Sequence, residues 1–266
     1  MIDICRFWFI IRHGDTMNND IEFKSDERYS LIVKANELIQ KSRFNLSTQQ
    51  QKIVLYLISQ IKQNDDDFKL YKFRVKDFCD MCGIVSDSGT LYQQLKEQIK
   101  TISDKSLWIR LDNGKETLLR WIEKPYIDEK SGTIEIKLDR DMKPYLLQLQ
   151  ENFTQYELAY TLRFKSKYSI RLYEYIQSIH YDKLKEYQKT ISVEELKKVL
   201  GADTYKLFKD FNTRVLKTAI REINETSEKQ IKVEHVKENK KVVALKLIIK
   251  NKDIIETFVL NRQYER

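Results

Sequence analysis

The sequence predicts an α+β fold made of two similar units in tandem. The first observation is an internal repeat, in which YKFRVKDFCDMCG at 71–83 aligns without gaps with KTISVEELKKVLG at 189–201. The second is that a helical pattern precedes this block in both copies and a longer helical pattern follows it. The third is a hairpin pattern after each longer helix. Helix, strand, short helix, long helix and hairpin are the order of a winged helix, so we expect two winged-helix domains related by this repeat.

The composition fits folded domains of this kind. The chain has 266 residues, which suggests one or two domains, and 41% of them are hydrophobic, enough for a real core. Only 6 glycines and 2 prolines argue against a loop-rich, all-β protein.

The first unit begins with a strand that turns into a helix, and the segment Asn45-Leu46-Ser47-Thr48 caps the next helix. A strand and a short helix ended by Gly83 follow. An amphipathic helix and two hairpin arms, the first around Asp112-Asn113-Gly114, complete it. The predicted bounds are 29–38 for the strand and first helix, 49–62 for the capped helix, 70–75 for the strand, 88–103 for the amphipathic helix, 107–122 for the first hairpin, and an end near Leu138.

A domain boundary is expected near residue 150, where Pro144 and a Gln/Asn-rich stretch interrupt the regular patterns. The predicted division is a poorly ordered leader at 1–27, a first domain at 28–150, a second at 151–252 and a C-terminal tail at 253–266. Met17 would serve as an alternative start, which leaves open whether residues 1–16 are made in the cell.

The second unit contains a helix at 167–180, a strand near 190–193 and a short helix ended by Gly201. Its longest element is an amphipathic helix at 204–226. One side of this helix gathers the apolar residues Phe208, Phe211, Val215, Leu216, Ala219, Ile220 and Ile223. The opposite side carries Lys206, Asp210, Thr213, Lys217 and Arg221, with Arg214 beside them.

The exposed side of that helix has the chemistry needed to read DNA. An α-helix fits the major groove, where Arg and Lys bind guanine O6 and N7 and Thr meets the thymine methyl group. We therefore predict that bases are read by Lys206, Thr213, Arg214 and Lys217. The structural alternative is a solvated charged face on an ordinary packed helix.

Phosphate contacts are predicted around this helix, because cations that bind the DNA backbone position a protein without reading sequence. The predicted phosphate-binding residues are Arg221, the hairpin residues Lys237, Lys240 and Lys241, and Arg163, Lys165 and Lys167 before the 167–180 helix. The corresponding outward face of the first domain consists of Gln93, Lys96 and Lys100.

The charge distribution agrees with this placement. The chain has a net charge of +8, and residues 151–266 hold 24 Lys and Arg against 17 Asp and Glu, whereas residues 1–150 hold 24 against 23. The excess positive charge, which attracts phosphate backbones, therefore belongs to the second half.

The cysteine content and the hydropathy of the sequence indicate where the protein is located and whether it binds a metal ion. Three cysteines make no disulfide framework, and Cys79 and Cys82 lack a second Cys/His pair to complete a zinc site, so we interpret them as core thiols. No apolar run reaches the length of a membrane span, and no signal peptide is recognised. We expect a cytoplasmic protein without cofactor or metal.

A catalytic alternative lies in the leader. Arg12-His13-Gly14-Asp15-Thr16, with Asn19, resembles the phosphate-attacking signature of histidine phosphatases. Such an enzyme needs a second His and further Arg residues around a phosphate pocket. Only His180, in a helix pattern, and His235, in the final hairpin, remain, so we interpret the motif as a chance match and predict no enzyme.

Three blocks resemble the iteron-binding Rep family of plasmid replication initiators, which has two winged-helix domains. They are LIVKANELIQKSRFNLSTQQQKIVLYLISQI at 31–61, SKYSIRLYEYIQS at 166–178 and YKLFKDFNTRVLKTAIREINE at 205–225. The resemblance covers residues 28–250 and leaves residues 1–20 outside.

The resemblance implies a protein that binds direct repeats in double-stranded DNA at a plasmid origin and promotes origin opening. It implies that the first domain contacts adjacent DNA and forms the subunit interface of a dimer, that monomers initiate and that dimers repress their own gene. It further implies recruitment of the host replicative helicase or its loader. A winged-helix transcription regulator without an initiator role is the alternative that the sequence hardly separates.

Overall fold

The computed structural model describes residues 30–84, 90–180 and 185–264. The first repeat runs from β1 to a short helix α5. Its elements are β1 (Leu31–Ala35), α1 (Asn36–Lys41), β2 (Ser42–Arg43), α2 (Thr48–Ser59), β3 (Tyr71–Arg74), α3 (Val75–Cys82), α4 (Leu91–Asp104), β4 (Ser106–Arg110), β5 (Glu116–Arg120), β6 (Tyr126–Asp128), β7 (Thr133–Ile136), a 3-10 turn (Arg140–Met142) and α5 (Lys143–Leu146).

The second repeat begins at β8, and a C-terminal helix follows it. Its elements are β8 (Phe153–Glu157), α6 (Leu158–Arg163), α7 (Lys167–Ser178), β9 (Glu186–Ser192), α8 (Val193–Leu200), α9 (Phe208–Phe211), a π-helical turn (Asn212–Leu216), α10 (Lys217–Thr226), β10 (Lys229–Glu238), β11 (Lys241–Asn251) and α11 (Ile254–Tyr264).

The predicted internal repeat is confirmed in the backbone. Helices α3 and α8 both have 8 residues and both follow directly on a strand. Each ends at a glycine in the left-handed region, Gly83 with φ 66° and Gly201 with φ 65°. Glycine adopts this conformation without the steric cost that other residues bear. Both short helices therefore end with the same left-handed glycine at the C-terminus.

The repeat also extends to elements whose side chains do not match. Strands β1 and β8 both have 5 residues and each leads directly into a helix of 6 residues, α1 or α6. Helices α2 and α7 both have 12 residues, with a serine N-cap, Ser47 or Ser166, at each start. The predicted cap of α2 is present, since Ser47 and Gln50 form a reciprocal capping box.

Strands β1 and β8 pair with each other and join the two repeats. They are antiparallel, and Val33 lies opposite Gln155, the third residue of each strand. The Asn36 N–H donates to Asn152 O (2.7 Å), and its counterpart in the second repeat, the Leu158 N–H, donates to Ser30 O (3.0 Å). Equivalent residues thus make equivalent bonds in both directions, so this ladder has local pseudo-two-fold symmetry, as an isologous dimer contact does.

The sheets show which hairpin is the wing of each domain. In the second repeat the order is β10-β11-β9, and in the first the matching order is β6-β7-β3. The hairpin that directly follows α4, β4–β5, pairs instead with β2. The hairpin directly after the long helix is therefore not the wing of the first domain. The strand that pairs with β3 is β7, which lies in the second arm predicted to close the unit near Leu138, and the counterpart of the second wing is β6–β7.

The core is shared by both repeats, and α7 lies at its centre. Ile170, Leu172, Tyr173 and Ile176 of this helix are fully buried. The boundary predicted near residue 150 lies between α5 and β8, and the residues predicted as a C-terminal tail include the helix α11. The leader at 1–27 lies outside the described residues.

Candidate nucleic-acid interface

The longest helical stretch of the second repeat, at 208–226, has the two faces predicted from the sequence. Its apolar side is packed into the core, where Phe211, Val215, Ala219 and Ile223 are fully buried. The opposite side is exposed at Lys209, Thr213, Arg214, Lys217 and Arg221. We call this exposed set the cationic face.

The predicted start of this helix at Thr204 is wrong. The helix begins at Phe208, after Leu207 in an extended conformation (φ −86°, ψ 136°). The chain before it is held in a turn, since the Tyr205 N–H donates to Ala202 O (3.1 Å). Lys206 therefore lies in the loop that precedes the helix, where its side chain is exposed.

The helix is not regular along its length, because Asn212–Leu216 form a π-helical turn. A π-turn inserts one residue into the hydrogen-bond pattern and is frequent at functional sites. Thr213 and Arg214 lie in this turn with exposed side chains. The turn rotates the residues before it about the helix axis relative to those after it. The prediction assumed uniform helical spacing and therefore did not include this rotation.

The wing is the hairpin β10–β11, and its tip is basic. Glu238 lies opposite Lys241, and Asn239 and Lys240 form a two-residue turn with φ of 46° and 66°. Positive φ at both positions is the signature of a type I′ turn. Lys237, Lys240 and Lys241 are all exposed at this tip.

The wing contacts the first turn of the helix at 208–226. The His235 ring on β10 packs edge-on against Phe208, with 5.3 Å between the ring centroids. This contact places the wing beside the N-terminal end of the cationic face. The two predicted DNA-binding elements therefore lie next to each other.

The three predicted phosphate-binding residues before α7 differ in their surroundings. Arg163 donates to Asn261 Oδ1 (2.9 Å) and Thr226 O (3.3 Å), and its guanidinium stacks on Tyr264. Lys167 donates to Asn45 Oδ1 (2.7 Å), and burial lowers its pKa.

Lys165, between these two, has an exposed side chain, and its backbone is bound by α10. Its N–H and that of Ser166 both donate to the Glu222 carboxylate of α10, at 3.1 Å each. Glu222 was not predicted as a functional residue. Its partners are backbone groups distant in sequence, and no side-chain pattern signals them.

Lys209 was also missed. It is exposed one turn before Thr213 in the same i, i+4 row as Lys217, and that spacing could have indicated it. In the first repeat, the three residues predicted on α4 are exposed, namely Gln93, Lys96 and Lys100.

The interpretation of Cys79 and Cys82 as core thiols is confirmed, since both are fully buried on α3. Burial raises the pKa of the Cys79 thiol to about 11. Within the described ranges, no group of three or more His, Cys, Asp or Glu side chains is placed to hold a metal ion.

The phosphatase-like motif at 12–19 lies outside the described residues. Of the other two histidines, His180 packs on Tyr187 and His235 on Phe208. None of the helices in residues 30–84, 90–180 and 185–264 combines the length and the apolar character that crossing a membrane requires.

Comparison with known families gives two matches in tandem. The family model described as Initiator Replication protein, WH1, matches residues 31–177. The model described as Initiator Rep protein, WH2, matches residues 192–249.

Individual proteins agree with these matches. A replication initiation protein of Escherichia coli is 26% identical over 212 residues, which are 77% of this chain and 65% of that protein. The PI protein of Escherichia coli is 29% identical over 211 residues, which are 67% of this chain and 68% of that protein. The chain thus spans about two thirds of the length of these relatives.

A solved structure is also similar. The crystal structure of Pi initiator protein in complex with iteron DNA matches with a TM-score of 0.68 and 26% identity, over 85% of this chain and 99% of that one.

Proposed function

This chain belongs to the family of initiator replication proteins with WH1 and WH2 domains, and from that premise we propose that it initiates plasmid replication by binding direct repeats in double-stranded origin DNA. The observation that carries the proposal is the cationic face at 208–226, which lies beside the lysine-tipped wing. The solved relative described as a complex with iteron DNA supports the choice of ligand.

In this proposal the helix at 208–226 enters the major groove. Thr213, Arg214 and Lys217 read base edges, with Lys206 reaching the groove from the preceding loop. The wing lysines and Arg221 bind phosphates of the flanking backbone. Among the three cations before α7, Lys165 is the first choice for a phosphate contact, because Arg163 and Lys167 already have intramolecular partners.

The first domain contributes adjacent DNA contacts through Gln93, Lys96 and Lys100 of α4, and it also provides the surface for self-association. Trp108 and Leu118 lie directly opposite each other on β4 and β5 and are each 50% exposed. Among the described strands β5 pairs only with β4, so this apolar pair lies on a sheet with an open edge, which supports a dimer contact. Trp108→Lys should then shift the protein toward monomers in analytical ultracentrifugation.

The remaining partners follow from the initiator role. We propose that the bound protein opens the origin and recruits the host replicative helicase or its loader in the cytoplasm, without itself catalysing a reaction. Dimers would repress the protein's own gene.

The test is a footprint of the purified protein on the DNA around its own gene, at moderate salt with competitor DNA. Protection of evenly spaced direct repeats is the expected result. Protection of one inverted repeat alone would point to a transcription regulator. Absence of salt-sensitive DNA binding would overturn the proposal.

A further inference from the structure

Two positively charged side chains, one in each repeat, each bind backbone carbonyls of the other repeat. The fifth residue of α2 is Lys52, and the fifth residue of α7 is Arg171. Lys52 Nζ donates to Leu162 O (2.6 Å), in the last turn of α6 of the second repeat. Arg171 donates to Ile39 O (3.3 Å) and Ser42 O (3.2 Å), at the C-terminal end of α1 of the first repeat. Each 12-residue helix thus caps the short helix of the other repeat, where the helix dipole favours a cation.

Arg171 also holds the element that leads to the cationic face. Its Nε and Nη2 atoms donate to Val199 O in the last turn of α8, at 3.0 and 2.7 Å. The same guanidinium therefore binds backbone of α1 and of α8, on either side of the boundary between the repeats. It is buried, and these bonds replace the water that its Nε and Nη2 atoms lost on burial.

The contacts of Lys52 lead to the cationic face by a second route. Next to Lys52 on α2, Thr48 Oγ1 donates to Lys165 O (3.1 Å). The N–H groups of Lys165 and Ser166 are in turn bound by Glu222 of α10. The segment 162–166 is thereby held from the first repeat on one side and from the helix at 208–226 on the other.

We propose that Lys52 and Arg171 are paired positioning residues that hold the DNA-contacting helices of the two domains at one fixed spacing and so set the length of the DNA site. The inference rests on the proposed function. Hydrogen bonds to backbone carbonyls are directional, so they fix an orientation that apolar packing alone leaves free to slide. A protein with two rigidly spaced DNA-contacting helices discriminates between sites by the number of base pairs that separate the two contacts.

The experiment compares DNA sites of different length in binding assays with the full chain. The probes are the repeat found by footprinting, the same repeat with one base pair inserted between the parts protected by the two domains, and a short duplex with the part read by the second domain alone. One base pair displaces the two contacts by about 3.4 Å and rotates them by about 35°.

The informative variant is Lys52→Met, which keeps the length of the side chain and removes the donor. Lys52→Arg is the conservative variant that restores a donor. Lys69→Met is the matched control, because Lys69 pairs with Asp65 inside one loop of the first repeat and touches no part of the second. Arg171→Lys tests the other member of the pair while keeping its charge.

The wild type should bind the native repeat more tightly than the lengthened one. Lys52→Met and Arg171→Lys should reduce this preference by about five- to tenfold, with unchanged binding to the short duplex. Lys52→Arg and Lys69→Met should keep the preference.

A Lys52→Met variant with the full preference for native spacing would overturn the inference, as would an equal loss of affinity for the short duplex. A wild type that binds the repeat but tolerates the insertion would also overturn it while leaving the proposed function intact. A wild type that binds no repeat would refute the proposed function itself.

Discussion

At the scale of single residues, Arg214 offers the sharpest test of base reading. Its side chain is exposed in the π-helical turn of the cationic face. Arg214→Ala should relax specificity at one base position, at a cost of about 1–3 kcal/mol, because a bidentate contact to a base edge is lost. The measurement is the affinity for a set of repeats in which each base pair is replaced in turn.

The control for this substitution is Arg140→Ala, which removes an exposed arginine from the 3-10 turn before α5. It should change neither affinity nor site preference. If Arg214→Ala weakened binding to all sequences by the same factor, Arg214 would be a phosphate contact and the assignment of the groove-facing side would be wrong.

Glu174 gives a residue-scale prediction for stability. It is buried on α7, where it accepts from Lys34 Nζ and Tyr156 Oη at 2.6 Å each, with Arg171 3.8 Å away. Burial alone would raise the pKa of this carboxyl, but the charges of Lys34 and Arg171 outweigh it and hold the pKa below its ordinary value. The stabilisation is therefore fully present above the unfolded-state pKa of about 4.3, and it is lost as the pH falls through the lower folded-state pKa.

Glu174→Gln should consequently cost about 3–5 kcal/mol near neutral pH, since Lys34 stays buried without its anion. The difference from wild type should shrink below about pH 4.3, where the unfolded carboxyl is protonated. Urea unfolding across the acid range measures both. Glu151→Gln, at an exposed site, should show neither effect, and a gap between Glu174→Gln and wild type that stayed constant with pH would refute the linkage.

The exposure of the site residues was easier to predict from the sequence than their contacts. Thr213, Lys217 and Arg221 are exposed as their helical spacing indicates, because an amphipathic pattern reports burial directly. The roles of Glu222 and Arg163 could not be predicted, since both bind groups that only the tertiary fold brings near. Sequence spacing carries no information about such distant backbone partners.

At the scale of elements, the turn of the wing combines charge and strain. Lys240 adopts φ 66°, a left-handed conformation that costs a residue with a Cβ about 1–2 kcal/mol. Lys240→Gly should remove much of this cost and raise the melting temperature, whereas Lys240→Ala should leave it unchanged. Each variant should weaken binding to all DNA sequences by the same factor. Each should also reduce the slope of log affinity against log salt by about one, as expected for one lost phosphate contact.

Thermal unfolding and salt titrations of both variants test this prediction. A larger loss of affinity in the glycine variant than in the alanine variant would show that the shape of the turn, and not the charge of Lys240, carries the contact. An unchanged salt slope in both would remove Lys240 from the interface.

The helix at 208–226 shows where element boundaries escape sequence reasoning. Its apolar spacing correctly predicted a long packed helix, because burial of one face decides its existence. Its first turn was placed too early, since Thr204 and Tyr205 fit the helical pattern but are held in a turn by Ala202 O. The π-helical turn likewise depends on packing and leaves no periodic signal.

At the scale of the whole molecule, the internal repeat determines both the fold of each domain and the way in which the two domains join. The repeat was visible in sequence only at 71–83 and 189–201, where apolar residues and a terminal glycine recur. It was invisible at LIVKA and FTQYE, which share no residue, although β1 and β8 pair as symmetry-related strands. Backbone hydrogen bonds preserve that symmetry without constraining side chains, which is why the joint between the repeats could not be predicted.

The two glycines that end α3 and α8 allow the joint to be probed with an internal control. Both have φ near 65°, so alanine at either position costs about 1–2 kcal/mol in backbone strain. A Cβ at Gly83 would meet no atom within 4 Å, whereas a Cβ at Gly201 would lie 3.0 Å from Phe44 O in the first repeat. Gly201→Ala should therefore lower the free energy of unfolding more than Gly83→Ala, because it also pushes the repeats apart. Urea unfolding of the two variants measures the difference. If both variants lost the same free energy of unfolding, the Phe44 carbonyl must move away from the added Cβ at little cost, and the repeats are not tightly packed at this point.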